Sequence, residues 1–340
     1  MKKGLTFFLM LLITGLGLFS KVEHSYSAAM DYSVKANIPE NQINKNLSYF
    51  DLQMRPGSIQ KVSLTVKNNS KEELEIMIEP NTAITNQNGV IDYSKHDYKK
   101  DSTLKNAFSD IISDKQKVVL KGDESKKVFF TIQMPKKSFD GIILGGFNIY
   151  RTDIKNETKK SNNIQVENVF SYVIGVKLSE TDEVVFPKLK LNKVNAGLMN
   201  YRTVITANLQ NTEAVIINNL DVSARITKEG KKKQLHATKK TNLSMAPNSN
   251  FDFPINWDNQ KLDPGKYHLY LTATNGDQTW EFDKMFEIKD TDANAINKSA
   301  VDLEKDYTLL YIGIALTILA VMMLIIILLR KKKRGEHYEE

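Results

Sequence analysis

Apolar and polar residues alternate along most of the middle of the chain. Successive side chains of a β-strand point to opposite faces, so each alternating segment predicts a strand with one buried face. The alternating segments are 62–66, 74–78, 128–134, 170–178, 220–226, 251–255 and 267–273. Turn-forming sequences such as Arg55-Pro56-Gly57 and Asp263-Pro264-Gly265 lie between them.

Many short strands separated by turns are typical of β-sandwiches. We therefore predict an all-β fold class, with two immunoglobulin-like antiparallel β-sandwich domains in tandem and one C-terminal transmembrane helix. Residues 152–163 contain many charges and one apolar residue, and they are either a linker or a long hairpin between two strands. The linker interpretation is favoured, and it gives domains at 30–155 and 156–290. One further helix is predicted near 102–113.

The two ends of the chain predict its topology. Residues 1–29 combine a basic start, an apolar run and a final Ser27-Ala28-Ala29, which is the order found in secretory signal peptides. Residues 309–329 contain no charged side chain. As a helix with a rise of about 1.5 Å per residue, this run is about 30 Å long, which matches the apolar thickness of a bilayer.

The segments beside the apolar run complete this topology. The basic residues at 330–334 place the tail, 330–340, in the cytoplasm by the positive-inside rule. Residues 291–308 are predicted to be a polar linker, and residues 30–308 then lie outside the cell membrane, within the cell wall. No LPxTG-like motif occurs at 301–308, so we predict a single-pass membrane anchor and not a covalent attachment to the wall.

The charge and the cysteine content exclude several classes of function. Of the net charge of +7, residues 1–29 and 330–340 contribute +2 each, which leaves +3 for the rest of the chain. This balance does not support a nucleic-acid-binding surface. The chain has no cysteine, which excludes disulfides, thiolate metal sites and cysteine nucleophiles.

Motifs for catalysis or metal binding are not found in the sequence. His96, His236 and His268 are far apart, and none has His-Glu-x-x-His spacing. Two Ser-x-x-Lys matches, which begin at Ser58 and Ser102, lack the partner motifs of penicillin-interacting enzymes. We therefore predict a protein that is not an enzyme and that uses no metal ion and no cofactor.

Two features allow more than one interpretation. The 139–147 segment places three glycines around an apolar strand, which indicates either close sheet packing or the floor of a groove for a ligand. Trp257 and Trp280 are either core residues or binding contacts, because tryptophan is common at the energetic centres of interfaces.

Short motifs in both halves of the chain resemble those of a known family. In the first half they are Pro39-Glu40-Asn41-Gln42, Tyr49-Phe50-Asp51-Leu52, Pro56-Gly57, Thr85-Asn86-Gln87-Asn88-Gly89 and the 139–146 segment. In the second half they are Asn208-Leu209-Gln210-Asn211, Met245-Ala246-Pro247-Asn248-Ser249, Pro264-Gly265-Lys266-Tyr267 and Trp280-Glu281-Phe282. Their order resembles that of the WxL-interacting proteins of low-GC Gram-positive bacteria.

The resemblance implies an accessory cell-surface protein without catalytic activity. Its first domain is expected to bind peptidoglycan. Its second domain is expected to bind the WxL domains of other surface proteins, and host extracellular matrix proteins are a further class of partner. The alternatives are a host-matrix adhesin, a structural or sensory protein, and a cell-wall-active enzyme.

The candidate contact residues follow from these expectations. For peptidoglycan, amide and carboxyl groups and one aromatic ring are predicted to make contacts: Asn41, Gln42, Tyr49, Asp51, Asn86, Asn88 and Asp140. For the protein partner, the predicted surface includes Trp280 or Trp257, with Tyr267 behind it. Trp280 follows a turn and Pro254 interrupts a strand, so both positions indicate edge strands that can accept a strand from a partner.

Overall fold

The structure of the protein is a computed structural model. It describes residues 31–153, 170–276, 278–301, 303–304 and 308–335, and for the C-terminal helix it describes side chains at residues 311–327. The predicted signal peptide, the segment 154–163 of the predicted boundary and the last residues of the predicted tail lie outside the described residues.

The first sandwich packs a three-stranded sheet against a five-stranded sheet. Its strands, together with a small hairpin of β5 and β6, are β1 (Tyr32–Asn37), β2 (Phe50–Gln53), β3 (Ile59–Asn68), β4 (Leu74–Thr82), β5 (Ile84–Thr85), β6 (Ile91–Asp92), β7 (Gln116–Leu120), β8 (Ser125–Gln133), β9 (Ile142–Arg151) and β10 (Ser171–Ser179). The strand order is β1-β3-β8 in one sheet and β2-β10-β9-β4-β7 in the other.

Aromatic rings fill the first core between the two sheets. The Phe147 ring lies 4.7 Å from the Phe130 ring and 6.3 Å from the Phe108 ring, measured between centroids. A Cβ atom at Gly145 would lie 2.1 Å from Phe108, and one at Gly146 would lie 2.8 Å from Tyr93. The glycines of β9 therefore make room for aromatic rings of the same chain, which favours the packing interpretation of this segment over a ligand groove.

The position of β10 corrects the predicted domain boundary. β10 pairs with β9 in an antiparallel arrangement and with β2 in a parallel one, so the sandwich is not purely antiparallel. Val176 and Leu178 are fully buried in the first core. The boundary between the two sandwiches therefore lies after β10 and not at 155/156, and the hairpin interpretation of 152–163 agrees with the pairing of β9 and β10.

The second sandwich has a three-stranded and a four-stranded sheet. Its strands are β11 (Leu189–Met199), β12 (Arg202–Asn211), β13 (Ile217–Lys228), β14 (Gln234–Met245), β15 (Ser249–Asn256), β16 (Gly265–Asn275) and β17 (Gln278–Ile288). The strand order is β11-β12-β15 and β14-β13-β16-β17. Pro254 lies in β15 and Trp280 in β17, and both strands are at the edge of their sheet, as their sequences predict.

Helices occur after the last strand. α1 (Asp290–Ser299) replaces the first half of the predicted 291–308 linker. It docks on the second sandwich, because Ala293 is buried and the Asn297 side chain exchanges hydrogen bonds of 2.8 and 3.0 Å with the backbone of Leu262. In place of the helix predicted near 102–113, the structure has a three-residue 3-10 helix, Phe108–Asp110.

The C-terminal helix, α2 (Thr308–Gly335), includes the whole 309–329 run. Its described side chains are exposed and apolar at most positions. Within the part of the chain that the structure describes, no helix meets the length and hydropathy expected for crossing a membrane.

Candidate functional site

The predicted peptidoglycan-contact residues fall in three separate places. Gln42, Tyr49 and Asp51 form one group beside β2. Gln42 is buried, its Nε2 donates to the Tyr49 carbonyl at 2.9 Å, and its Oε1 accepts from the Asp51 backbone N–H at 3.0 Å. Next to this group, the Asn41 and Gln60 amides bond each other at 2.8 and 2.9 Å. These amides are engaged in holding the loop before β2, and Tyr49 is the member of the group with an exposed ring.

Asn86 and Asn88 lie in the turn between β5 and β6. The Asn86 Oδ1 accepts from the Asn88 N–H at 2.9 Å, so its side chain closes the turn. The next residue, Gly89, accepts at its carbonyl from the Ser244 N–H of the second sandwich at 2.7 Å. This turn therefore docks the two domains together.

A cluster of polar side chains on the outer face of the five-stranded sheet was not predicted from the sequence. Asn148 is 7% exposed, and its Oδ1 has no hydrogen-bond partner among the described residues. Its neighbour across the sheet is Glu79, whose carboxylate lies 3.2 Å from the Lys115 ammonium. Burial raises the pKa of the Tyr150 hydroxyl, and the negative charge of Glu79 raises it further. The sequence does contain one indication of this cluster, because Asn148 is the polar residue within the apolar run of β9.

A cleft between the domains contains Asp140, the last of the predicted peptidoglycan-contact residues. The cleft has a volume of about 590 Å³. Both domains line it: Ser102, Thr103, Lys105, Asn106, Lys137, Ser138, Phe139, Asp140, Ile142 and Ile143 come from the first, and Thr212, Glu213, Ala214 and Asn248 come from the second. The predicted residues therefore do not form one site, and their contact with peptidoglycan stays a prediction.

A buried carboxylate joins the domains beside this cleft. Asp101, on a loop of the first domain, accepts hydrogen bonds from the side chains of Gln210 and Asn250 in the second, the first at 2.7 Å. It also accepts from the Thr103 N–H and hydroxyl at 2.8 and 2.7 Å. Burial acts to raise the pKa of Asp101, but these bonds together hold it below the ordinary value. Asp101 is therefore ionised at neutral pH and fixes the domains to each other.

Two of the three aromatic residues predicted for partner contact are core residues. Trp257 is 3% exposed and Tyr267 is 1% exposed, and their rings lie 5.6 Å apart. The structure therefore corrects the prediction for Trp257, because its ring faces the interior. Trp280 is half-buried at the start of the edge strand β17 and packs partly against the second core. Among these three rings, only Trp280 is placed near a surface that a partner can reach.

Within the described residues, no group of three or more histidine, aspartate and glutamate side chains is arranged to hold a metal ion. The contacts above hold loops in place and join the two domains.

Comparison with protein families assigns both halves of the chain. Residues 32–151 match the model of the peptidoglycan-binding domain of the WxL Interacting Protein family. Residues 161–298 match the model of its host-binding domain. The chain belongs to the WxL Interacting Protein family. Both domains of the family are described as binding domains, which supports a non-enzymatic role at the cell surface. The family's second domain begins before β10 in sequence, although β10 packs in the first sandwich of this member.

Comparison with individual proteins gives little more. No curated protein matches the chain in sequence. A chaperone–tip adhesin complex of CFA/I fimbriae biogenesis is 13% identical, with a TM-score of 0.30, and the match covers 74% of this chain and 97% of that one. The E. coli chaperone DraB is 14% identical, with a TM-score of 0.27, and the match covers 76% of this chain and 98% of that one. TM-scores this low do not establish a shared fold.

Proposed function

We propose that this protein is a membrane-anchored surface protein that binds peptidoglycan through its first domain and WxL-domain proteins through its second. The observation that carries the proposal is the match of a peptidoglycan-binding domain followed by a host-binding domain, both from one family. The signal-peptide pattern at 1–29, and the helical, uncharged run at 309–329 with basic residues after it, support anchoring with the domains outside the cell.

The polar cluster around Asn148 supports a glycan contact on the first domain. Sugars are recognised by hydrogen bonds from amides and carboxylates and by stacking on aromatic rings. Asn148, Glu79 and Tyr150 supply these three kinds of group on one face of the sheet. Because the Asn148 Oδ1 has no partner among the described residues, a ligand hydroxyl or amide that bonds it would satisfy a buried acceptor.

The full-length protein is expected to sediment with purified sacculi, and Asn148→Ala to weaken this binding about threefold to tenfold through the loss of one buried hydrogen bond. The measurement is the bound fraction at increasing protein concentration. Asn195→Ala, which removes an exposed amide of the second sandwich, is the matched control and should bind as the wild type does. Equal binding by Asn148→Ala would remove the Asn148 cluster from the proposal, and no sedimentation of the wild type would remove peptidoglycan binding.

The free edge of β17 supports a protein contact on the second domain. β17 pairs on one side with β16, and no described strand pairs with its other side. A partner strand added there would gain backbone hydrogen bonds, and Trp280 at the start of the strand would add apolar contact. The description of this domain as host-binding favours host matrix proteins as a second candidate, on the same surface.

A purified WxL domain is expected to bind the full-length protein in a calorimetric titration, and Trp280→Ala to weaken the affinity about tenfold. Phe282→Ala is the control, because Phe282 packs partly against the core from the same strand. Weaker binding in both variants together with a lower melting temperature would mark Trp280 as a core residue. A titration with a host matrix protein in place of the WxL domain separates the two candidate partners.

A further inference from the structure

The cleft between the domains has the size and the fixed walls of a ligand site. Its volume of about 590 Å³ falls in the range of small-molecule pockets. Direct bonds hold its walls together: the Ile142 N–H donates to the Ala214 carbonyl at 2.8 Å, and the Asn248 amide donates to the Thr103 hydroxyl at 3.3 Å. The cleft is therefore formed before any ligand arrives.

Gly141 shows that the close approach of the walls is built into the sequence. Its φ of +85° is a backbone conformation that residues with a side chain rarely adopt. A Cβ atom at this position would lie 2.3 Å from the Ala214 carbonyl oxygen. Only glycine therefore lets the start of β9 reach the 212–214 loop of the second domain.

The charged groups of the cleft are available to a ligand. Lys105 and Lys137 are exposed, and neither forms an ion pair or hydrogen bond with another described residue. Asp140 accepts one hydrogen bond, from the Thr181 hydroxyl at 2.9 Å, and Glu213 accepts one from the adjacent Thr212 hydroxyl at 2.9 Å. Neither carboxylate faces a cation among the described residues, so two cations and two anions are free to pair with a ligand.

The cleft also has an apolar wall. Phe139 and Ile142 are half-buried, and Ile143 is buried beside them. The Glu180 carboxylate accepts from the Phe139 N–H at 3.1 Å and holds this wall in place. A ligand that fits must therefore carry carboxylates, at least one amine and small apolar groups.

We propose that the cleft binds the peptide stem of peptidoglycan, so that wall recognition extends across the domain junction. The inference rests on the proposed function. The stem is a short peptide with small apolar side chains, free carboxylates and, where it is not cross-linked, a free amine. Its carboxylates pair with Lys105 and Lys137, its amine with Asp140 and Glu213, and its methyl groups lie on Phe139. The second domain then takes part in binding a wall fragment, through Glu213.

The test uses the full-length protein and three soluble probes: the peptide-free disaccharide, the free stem peptide, and the disaccharide with its stem. Calorimetry should detect binding of the two probes that contain the stem. The double variant Lys105→Ala, Lys137→Ala should weaken this binding about tenfold, and Glu213→Gln about threefold to fivefold, because each removes exposed charge pairs with modest individual effects.

Two variants serve as matched controls. Lys61→Ala removes an exposed lysine of the other sheet of the first domain, and Glu281→Gln removes an exposed carboxylate of the second domain. Both should bind the stem as the wild type does. Equal effects of Glu213→Gln and Glu281→Gln would overturn the inference, and so would stem-peptide binding that the double lysine variant leaves unchanged.

Sedimentation with whole sacculi separates this inference from the proposed function. If the wild type sediments but does not bind the stem peptide, the cleft inference is wrong and peptidoglycan binding stands. If neither sacculi nor fragments bind, both are wrong.

Discussion

We expect Trp257→Ala to lower the free energy of unfolding of the second sandwich by about 3–5 kcal/mol, the usual cost of removing a buried indole. The Trp257 ring packs between the His236 ring, at 4.0 Å, and the Tyr267 ring, at 5.6 Å, measured between centroids. Its indole N–H donates to the Lys261 carbonyl at 3.2 Å. The substitution leaves a cavity and an unpaired acceptor at one end of the second core.

Urea unfolding followed by fluorescence measures this loss in the second domain, because the two tryptophans of the chain both lie there and Trp280 remains as the reporter. The control is Phe186→Ala, which removes an aromatic ring that is 70% exposed between the two sandwiches. It should change the free energy of unfolding by less than about 0.5 kcal/mol. A loss of WxL binding by Trp257→Ala without a loss of stability would contradict the placement of Trp257 in the core.

The second large effect is expected from Asp101→Ala at the domain junction. The substitution leaves the Gln210 and Asn250 amides without their acceptor and removes hydrogen bonds to a charged group, at a cost of about 3–5 kcal/mol. This cost falls on the contact between the domains, because each sandwich keeps its own core. We therefore expect the junction to open while both sandwiches stay folded.

Hydrogen exchange resolves this effect at single amides. The N–H groups of Ile142 and Ser244 donate across the junction, so their protection should fall at least about 100-fold in Asp101→Ala. The N–H groups within β13 and β16 should keep theirs. Asp110→Ala is the matched control, since Asp110 is an exposed partner of Lys100. Full protection of the Ile142 amide in Asp101→Ala would mean that the carboxylate does not hold the domains together.

The same contact predicts a pH dependence. Because the folded pKa of Asp101 is below its ordinary value of 3.8, its contribution to stability is complete above that value. The contribution is lost as the pH falls from about 3.8 through the lower, folded pKa. Protection of the junction amides should decrease in this acidic range in the wild type and show no such step in Asp101→Ala.

The sequence predicted where strands occur better than it predicted which strands pair with each other. Period-two alternation located seven of the described strands (β3, β4, β8, β10, β13, β15 and β16), because burial of one face is a local property of the pattern. It carries no information about which sheet a strand joins, and so the strand at 170–178 was assigned to the wrong side of the boundary. α1 was missed because its sequence is mostly polar, and the face that docks, Ala293, Ile296 and Asn297, has only one large apolar side chain.

The candidate site was less predictable, because the role of each polar side chain depends on contacts made by the whole fold. Gln42 and Asn86 have side chains suited to a ligand, but the fold uses them inside loops. Asp101 lies in a polar stretch that gives no local sign of burial, and its partners are more than 100 residues away in the chain. Asp140 was predicted from its carboxyl group and its place in the glycine-flanked 139–147 segment, and the fold places it in the cleft between the domains.

The pairing of β10 sets the order in which the domain can fold as it leaves the ribosome. β10 lies between β2 and β9 in its sheet, and the contact of Lys177 with Asp51 spans 126 residues of chain. Contacts this distant in sequence form slowly. Until the chain has emerged beyond β10, β2 has no strand to pair with and one edge of β9 is exposed, a state that is prone to aggregation. A truncation before Ser179 would therefore leave β2 and one edge of β9 without their partner strand.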